Sequence, residues 1–122
     1  MPVSGPDLVS VVVPAYNAEA TLDETLRSVC GQTHQALEII VVDDGSTDAT
    51  RAVAERYAAA DARVHVLHQP NAGVAAARNA GWQHARSPFI AFVDADDLWA
   101  PAKIERQLAA LHSGGDRVGL VY

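Results

Sequence analysis

The feature that most constrains the fold is a regular alternation between short apolar runs and segments of helical character. The apolar runs are rich in β-branched residues and occupy positions 8–13, 38–42, 64–68 and 89–93, with a fifth beginning at position 118. Such runs are typical of strands that are buried on both faces. The segments between them carry apolar residues at helical spacing or consist largely of alanine. The alternation predicts an α/β fold with a mainly parallel sheet and helices on both faces.

Length and composition narrow the class of protein. The chain has 122 residues, which suits one domain, 1–122, and no composition break marks a boundary within it. Its formal net charge of -6 disfavours a nucleic-acid binder, which needs a cationic surface. Cys30 is the only cysteine, so an internal disulfide and a thiolate metal site are excluded. No apolar stretch approaches the roughly 20 residues of a membrane helix, and we expect a cytoplasmic protein.

Polar residues gather directly after the predicted strands. They occupy positions 14–19, 43–46, 69–73 and 94–97. In a parallel sheet the carboxyl ends of the strands share one edge, and ligands bind beyond that edge where the strand order reverses. The clusters are therefore expected to converge on one site, although they are far apart in the sequence.

The clearest chemical signal is the group Asp94, Asp96 and Asp97, which directly follows the fourth predicted strand. Close carboxylates repel one another unless a cation lies between them, and Mg²⁺ or Mn²⁺ prefers oxygen ligands together with substrate phosphates. The alternative is a solvated acidic turn in which Asp97 caps the next helix. The pair Asp43 and Asp44 is equally ambiguous, because it suits an ordinary turn or a carboxylate that hydrogen-bonds a nucleotide.

A third group of residues favours an anionic ligand. Residues 71–73 open a helix whose first amides attract anions, and Arg78 follows within that helix. The first strand lacks the Gly-x-Gly-x-x-Gly loop of dinucleotide-binding folds, which disfavours a nicotinamide or flavin dehydrogenase. Tyr16 suits either packing in the core or a position beside a nucleotide base. Trp82 and Trp99 are expected to be packing residues rather than parts of a binding site.

Four segments, in order and in spacing, resemble family 2 glycosyltransferases with the GT-A type fold. They are VSVVVPAYN at 9–17, EIIVVDDGSTD at 38–48, NAG at 71–73 with ARNAG at 77–81, and FVDADD at 92–97. The resemblance implies the Rossmann-like nucleotide-binding half of a GT-A fold. It also implies transfer of a sugar, with inversion, from a nucleoside-diphosphate-sugar to an acceptor hydroxyl. A UDP-sugar is the favoured donor and Mn²⁺ or Mg²⁺ the implied cofactor, while the acceptor stays open among saccharides, lipid-linked groups and proteins.

The resemblance also assigns roles by position. Within the nucleotide site, Asp44 would meet the base, and Arg78 would lie near the base or the phosphates. In the Asp-x-Asp element, Asp94 would lie towards the ribose and Asp96 would be the main ligand of the divalent ion, with Asp94 beside it. The full set implied to bind the nucleotide-sugar is Pro14, Ala15, Tyr16, Glu19, Asp43, Asp44, Gly73, Arg78, Asp94 and Ala95.

Family members continue into a region that binds the acceptor and supplies a carboxylate general base. That base is expected beyond residue 122, and no catalytic residue is assigned within the chain. We therefore expect a truncated fragment that holds a donor, is inactive alone and can form a homodimer through an exposed sheet edge. Peripheral membrane attachment of the full-length protein is left open.

Other classes of function remain open at this point. A nucleotide-binding module without catalysis fits the same residues. A sugar-nucleotide nucleotidyltransferase uses a related sheet, but it usually carries a Gly-rich loop with a basic residue after the first strand, which is missing here. A phosphoacceptor signalling domain would need its paired acids after the first strand, whereas here they follow the second.

Overall fold

The structure is a computed structural model, and it describes residues 7–113 and 120–121. The strands are β1 (Val9–Ala15), β2 (Leu37–Asp44), β3 (Val64–Gln69), β4 (Phe89–Phe92) and β5 (Leu120–Val121). The helices are α1 (Leu22–Cys30), α2 (Thr50–Ala60), α3 (Val74–His84) and α4 (Lys103–Ser113). Positions 118 and 119 of the predicted fifth strand lie outside the described residues. Within the described ranges, no helix has the length and apolar character needed to cross a bilayer.

The strands form one sheet in the order β3-β2-β1-β4-β5, and every pairing is parallel. β1 is central, because Val11 pairs with Ile39 of β2 on one side and with Ala91 of β4 on the other. The chain moves outward from β1 to β3 and then returns to place β4 on the other side of β1. The strand order therefore reverses between β1 and β4, and the carboxyl ends of these strands flank the crevice in which such sheets bind ligands.

Alternate side chains of strands β1 to β4 supply two separate cores. One core includes Val11 and Ile39 and packs against apolar residues of α1, α2 and α4. The other includes Val12 and Ile40 and packs against Ala77 of α3. Helices therefore cover both faces, and the predicted α/β class with a parallel sheet is confirmed.

Helix α3 lies unusually close to the sheet because Gly81 has no side chain. A Cβ at this position would lie 2.4 Å from Cγ1 of Val12 and 3.2 Å from Cγ2 of Val42. Both distances are shorter than the about 3.5–4.0 Å of a relaxed carbon contact. The glycine in the ARNAG segment is thus required by packing between α3 and the centre of the sheet.

The amino ends of the strands hold a buried carboxylate that sequence reasoning did not single out. Glu38 is 3% exposed and accepts hydrogen bonds from Ser10 Oγ (2.6 Å), the Arg86 amide (2.9 Å) and Arg86 Nε (2.7 Å). Burial raises the pKa of Glu38, but these hydrogen bonds outweigh it and the pKa lies below its usual range. The cluster joins β1 and β2 to the turn before β4, at the end of the sheet opposite the polar clusters.

Candidate functional site

The loops that follow β1 and β2 are joined by reciprocal hydrogen bonds. The Asn17 amide donates to Ser46 Oγ (3.0 Å), and the Thr47 amide donates to Asn17 Oδ1 (2.8 Å). Asn17 has a φ of 47°, a conformation that Asn adopts more readily than most residues. The Glu19 carboxylate accepts from the Ala49 amide (2.8 Å), so its role in the structure is to connect the two loops.

Asp44, at the end of β2, organises the loop between β3 and α3. Its buried carboxylate accepts hydrogen bonds from Gln69 Nε2 (2.8 Å), the Ala72 amide (2.8 Å) and the Gly73 amide (2.9 Å). Asn71 Nδ2 donates to both the Asp44 carbonyl (3.0 Å) and its carboxylate (3.2 Å). Burial raises the pKa of Asp44, but the bonds from Gln69, Ala72 and Gly73 outweigh burial and hold the pKa below its usual range. A charged Asp44 therefore supports the N-terminus of α3.

Two glycines adopt the positive φ values that this arrangement of loops requires. Gly45 has a φ of 74°, and a Cβ there would lie 2.5 Å from the backbone nitrogen of Asn71. Gly73 has a φ of 100° and precedes the first residue of α3. Both conformations strain residues with a side chain. The glycines of the Asp-Gly and Asn-Ala-Gly segments are thus explained by backbone geometry.

Asp43 points to the opposite side of β2 from Asp44, as alternation along a strand requires. Its carboxylate accepts from the Ser46 amide (3.1 Å) and lies 3.4 Å from His68 Nδ1. The other ring nitrogen of His68 lies 3.1 Å from a carboxylate oxygen of Glu55. Asp43 therefore supports the turn after β2.

Three of the cavities formed by the described residues contain the polar clusters of the carboxyl edge. The first, here called the Tyr16 cavity, has a volume of about 330 Å³ and mainly apolar walls. Tyr16 and Val74 both line it, and each is 52% exposed. Its lining residues are Pro14, Ala15, Tyr16, Asp44, Asn71, Gly73, Val74 and Ala77. This cavity can hold a flat, largely apolar group.

The other two cavities contain the acidic cluster. The Asp96 cavity, about 370 Å³, shares Pro14 and Tyr16 with the first and adds Asn17, Ala18, Ala20, Thr21, Ala95 and Asp96. The Arg78 cavity, about 340 Å³, is lined by Arg78, Phe92, Asp94, Asp97, Leu98, Trp99 and Lys103. Residues of the acidic segment therefore line both a cavity that shares two wall residues with the Tyr16 cavity and another cavity that carries the cationic side chains of Arg78 and Lys103.

The three carboxylates of Asp94, Asp96 and Asp97 are exposed, and one oxygen of each lies within 4.8 Å of the others. Arg78 Nη2 lies 3.2 Å from Asp94 Oδ1 and offsets part of this negative charge. The Nε atom of Arg78 is buried and has no hydrogen-bond partner among the described residues. Hard cations such as Mg²⁺ and Mn²⁺ prefer such oxygen donors, so the residues present fit a divalent ion.

Most of the predicted site residues meet at this edge. Every predicted site residue except Glu19 and Asp43 lines one of the three cavities. The carboxylates of Glu19 and Asp43 instead accept hydrogen bonds from backbone amides of the loop after β2. The alternative in which Asp97 caps the next helix is wrong, because α4 begins only at Lys103. Trp99 is buried as expected, whereas the packing prediction for Trp82 is wrong, because this side chain is 51% exposed.

Other residues of the site were missed. Thr21 and Thr25 donate hydrogen bonds to the carbonyl of Ala95, in the middle of the acidic segment. Leu98 and Lys103 line the Arg78 cavity. The sequence carries no local signal for these roles, because the bonded partners of both threonines lie at least 70 positions away.

Comparison with known proteins decides the family. The model of glycosyl transferase family 2 matches residues 10–121, which include all five strands except the first residue of β1. The chain belongs to this family. The "Putative teichuronic acid biosynthesis glycosyltransferase TuaG" of Bacillus subtilis is 44% identical over 102 residues, 83% of this chain and 40% of TuaG. Glycosyltransferase GlyG of Streptococcus pneumoniae is 45% identical over 100 residues, 81% of this chain and 33% of GlyG.

Solved structures of glycosyltransferases share the fold. S. aureus TarS 1-349 in complex with UDP-GlcNAc has a TM-score of 0.76 and 31% identity, over 86% of this chain and 31% of that one. The mannosyltransferase PcManGT from Pyrobaculum calidifontis, in complex with GDP-Man and Mn²⁺, has a TM-score of 0.69 and 32% identity, over 84% of this chain and 31% of that one. This family 2 chain therefore has the α/β fold of GT-A glycosyltransferases and spans well under half the length of these relatives.

Proposed function

We propose that this family 2 chain supplies the donor and metal site of an inverting glycosyltransferase that uses a nucleoside-diphosphate-sugar, with a UDP-sugar as the preferred donor. The observation that carries the proposal is the position of the mainly apolar Tyr16 cavity next to a group of carboxylates within 4.8 Å of one another. A nucleotide-sugar needs both, because its base is flat and weakly polar while its diphosphate carries charge that a divalent ion can offset. The ligands of TarS and PcManGT belong to this chemical class.

The Tyr16 cavity is the proposed base site. The exposed ring of Tyr16 and the side chain of Val74 offer apolar surfaces on which a base can lie. Asp44 and Asn71 supply the polar groups in its wall. The Asp96 cavity shares Pro14 and Tyr16 with the base site and is also lined by Asp96, so we assign the ribose and diphosphate to it.

The acidic cluster is the proposed metal site, with Asp96 as the main ligand and Asp94 beside it. When bound, Mg²⁺ or Mn²⁺ would act as a Lewis acid that offsets the negative charge of the departing nucleoside diphosphate. Arg78 lies 3.2 Å from Asp94 and lines the adjacent cavity, from which its guanidinium can contact a phosphate or the sugar. Asp97, brought into the cluster by the turn at Asp94, adds negative charge that favours a divalent cation.

In an inverting transfer, the acceptor hydroxyl oxygen attacks the anomeric carbon as the bond from that carbon to the diphosphate oxygen breaks. The hydroxyl proton passes to a general base. No residue of this chain is assigned that role. The proposal for the chain itself is donor binding. The acceptor site and the general base are assigned to the further length that its relatives possess.

The test is calorimetric titration of the chain with UDP, GDP and dTDP, each with and without Mn²⁺. We expect UDP to bind more tightly with Mn²⁺, and Asp96→Ala to remove the effect of the metal. Glu24→Ala is the matched control, because Glu24 is an exposed carboxylate on α1 outside the three cavities. Absence of binding by all three nucleotides, or a metal effect that survives Asp96→Ala, would contradict the proposal.

A further inference from the structure

The carboxylates of the acidic cluster lie on a segment without regular secondary structure. Residues 93–102, between β4 and α4, form neither helix nor strand. Such a segment makes few hydrogen bonds within itself, although the Asp97 amide donates to the Asp94 carbonyl (3.0 Å). Its shape must therefore be set by groups from elsewhere in the chain.

Two threonines, Thr21 just before α1 and Thr25 within it, hold this segment at Ala95. Thr21 Oγ1 and Thr25 Oγ1 each donate to the carbonyl oxygen of Ala95 at 2.9 Å. This carbonyl lies between Asp94 and Asp96 in the chain, and both of its lone pairs are engaged. Thr25 is completely buried, so its hydroxyl has no access to water as an alternative partner.

Two further residues, Ser28 and Gln32, bind later parts of the segment between β4 and α4. Ser28 Oγ accepts from the Trp99 amide (3.1 Å). Gln32, which is completely buried just after α1, donates from Nε2 to the Ala100 carbonyl (2.8 Å) and accepts at Oε1 from the Ile104 amide (3.0 Å). Positions 21, 25, 28 and 32 recur at helical spacing and form one row, here called the α1 polar row.

We infer that the α1 polar row positions the carboxylates for the metal, with Thr21 and Thr25 as positioning residues. This inference rests on the proposed metal site. Carboxylates held this close repel one another, and that repulsion would spread a freely moving loop. The hydrogen bonds to Ala95 oppose this repulsion and hold the carboxylates together before the ion binds. Less free energy is then spent on ordering the loop when the ion binds.

The test compares Thr21→Val/Thr25→Val with the wild-type chain. Valine keeps the shape of threonine and removes the hydroxyl. We expect Mn²⁺ affinity, measured in the presence of UDP, to fall by about 10–100-fold, the range found when partners behind metal ligands are removed. Binding of UDP without metal should change much less. In the metal-free protein, the Asp97 amide should exchange its hydrogen faster, because the turn at Asp94 has lost its support.

The controls separate positioning from folding. Thr25→Ser keeps the hydroxyl and should restore Mn²⁺ affinity that Thr25→Val lowers. Thr33→Val removes a hydroxyl that donates to Glu105 (2.6 Å) and should leave both readouts at wild-type values. If the double variant does not fold, the comparison between Thr25→Val and Thr25→Ser replaces it.

The outcomes also separate this inference from the proposed function. A folded double variant with wild-type Mn²⁺ affinity and wild-type exchange at Asp97 would overturn the positioning role. If the wild-type chain binds no Mn²⁺, the proposed metal site fails, yet the exchange rate of the Asp97 amide still decides the inference. Faster exchange in the double variant supports anchoring by Thr21 and Thr25, and unchanged exchange refutes it.

Discussion

Replacement of Asp44 by asparagine tests whether this carboxylate holds the N-terminus of α3. The wild-type side chain presents one oxygen to Gln69 and Ala72, and the other to Asn71 and Gly73. Asparagine has one oxygen and one NH₂ group, so one of these pairs of donors faces another donor. The side-chain amide of Gln69 or Asn71 can rotate to present its own oxygen, but a backbone amide cannot. Either orientation therefore leaves one backbone N–H without its acceptor.

The expected loss of stability follows from the one backbone N–H that is left without an acceptor. An unsatisfied buried donor costs about 1–3 kcal/mol, and hydrogen bonds to a charged group contribute about 1.5–3 kcal/mol each. Residues 72 and 73 are themselves exposed, so water can partly replace the lost acceptor. We therefore expect Asp44→Asn to lower the free energy of unfolding by about 2 kcal/mol at pH 7, below the upper limit of both ranges.

The pH dependence gives a second readout of Asp44. Its pKa is lower in the folded chain than in an unfolded one, so its contribution is complete above the unfolded pKa of about 3.9 and is lost as pH falls through the folded pKa. The difference between the wild type and Asp44→Asn should therefore narrow below about pH 4. Urea denaturation from pH 3 to pH 8 measures both values, with Glu24→Gln as an exposed control. A loss under about 0.5 kcal/mol, the size of an ordinary surface substitution, would refute the anchoring role.

Two further predictions concern packing and an ion pair. Gly81→Ala should destabilise the chain by about 2 kcal/mol, because overpacking against Val12 costs up to about 3 kcal/mol and alanine regains only about 1 kcal/mol of helix propensity. Ala75→Gly, at an exposed position of α3, calibrates the propensity term in the same denaturation experiment, and a stabilised Gly81→Ala would contradict the close contact. Hydrogen bonds from Arg63 lower the pKa of Asp61 to about 2, and its contribution to stability should be present above about pH 4 and be lost as pH falls towards 2. Asp61→Asn should flatten that part of the pH profile by about 1 kcal/mol after solvent screening, and an unchanged slope would contradict the assignment.

The strands and the location of the site follow from local sequence pattern. The β-branched runs predict strands because a sheet covered on both faces requires apolar side chains on both sides, and β1 and β2 are buried along their whole length. The site lies at the carboxyl edge because every strand pairing is parallel, which brings the ends of β1, β2 and β4 together. The acidic segment and the Asn-Ala-Gly segment were predictable for the same reason.

Individual roles within the site were harder to predict. Glu19 and Asp43 belong to the implied nucleotide set, yet the structure uses their carboxylates to hold the Ala49 and Ser46 amides. Asp97 looks like a helix cap in the sequence, but the irregular segment before α4 carries it into the acidic cluster. In each case the residue type suits both roles, and only the distance to a partner distinguishes them.

The sequence by itself determined the α/β class, the parallel sheet, the edge at which polar residues meet and the family resemblance, because each depends on residue type and spacing along the chain. Tertiary structure alone decided which groups fix the loops at the carboxyl edge of the sheet. The hydroxyls of Thr21 and Thr25 reach the carbonyl of Ala95 across at least 70 positions, and Gly81 is required by a contact with Val12. Such pairings depend on the packing of helices against the sheet, and the energy of a hydrogen bond or a close contact exists only once both partners are in place.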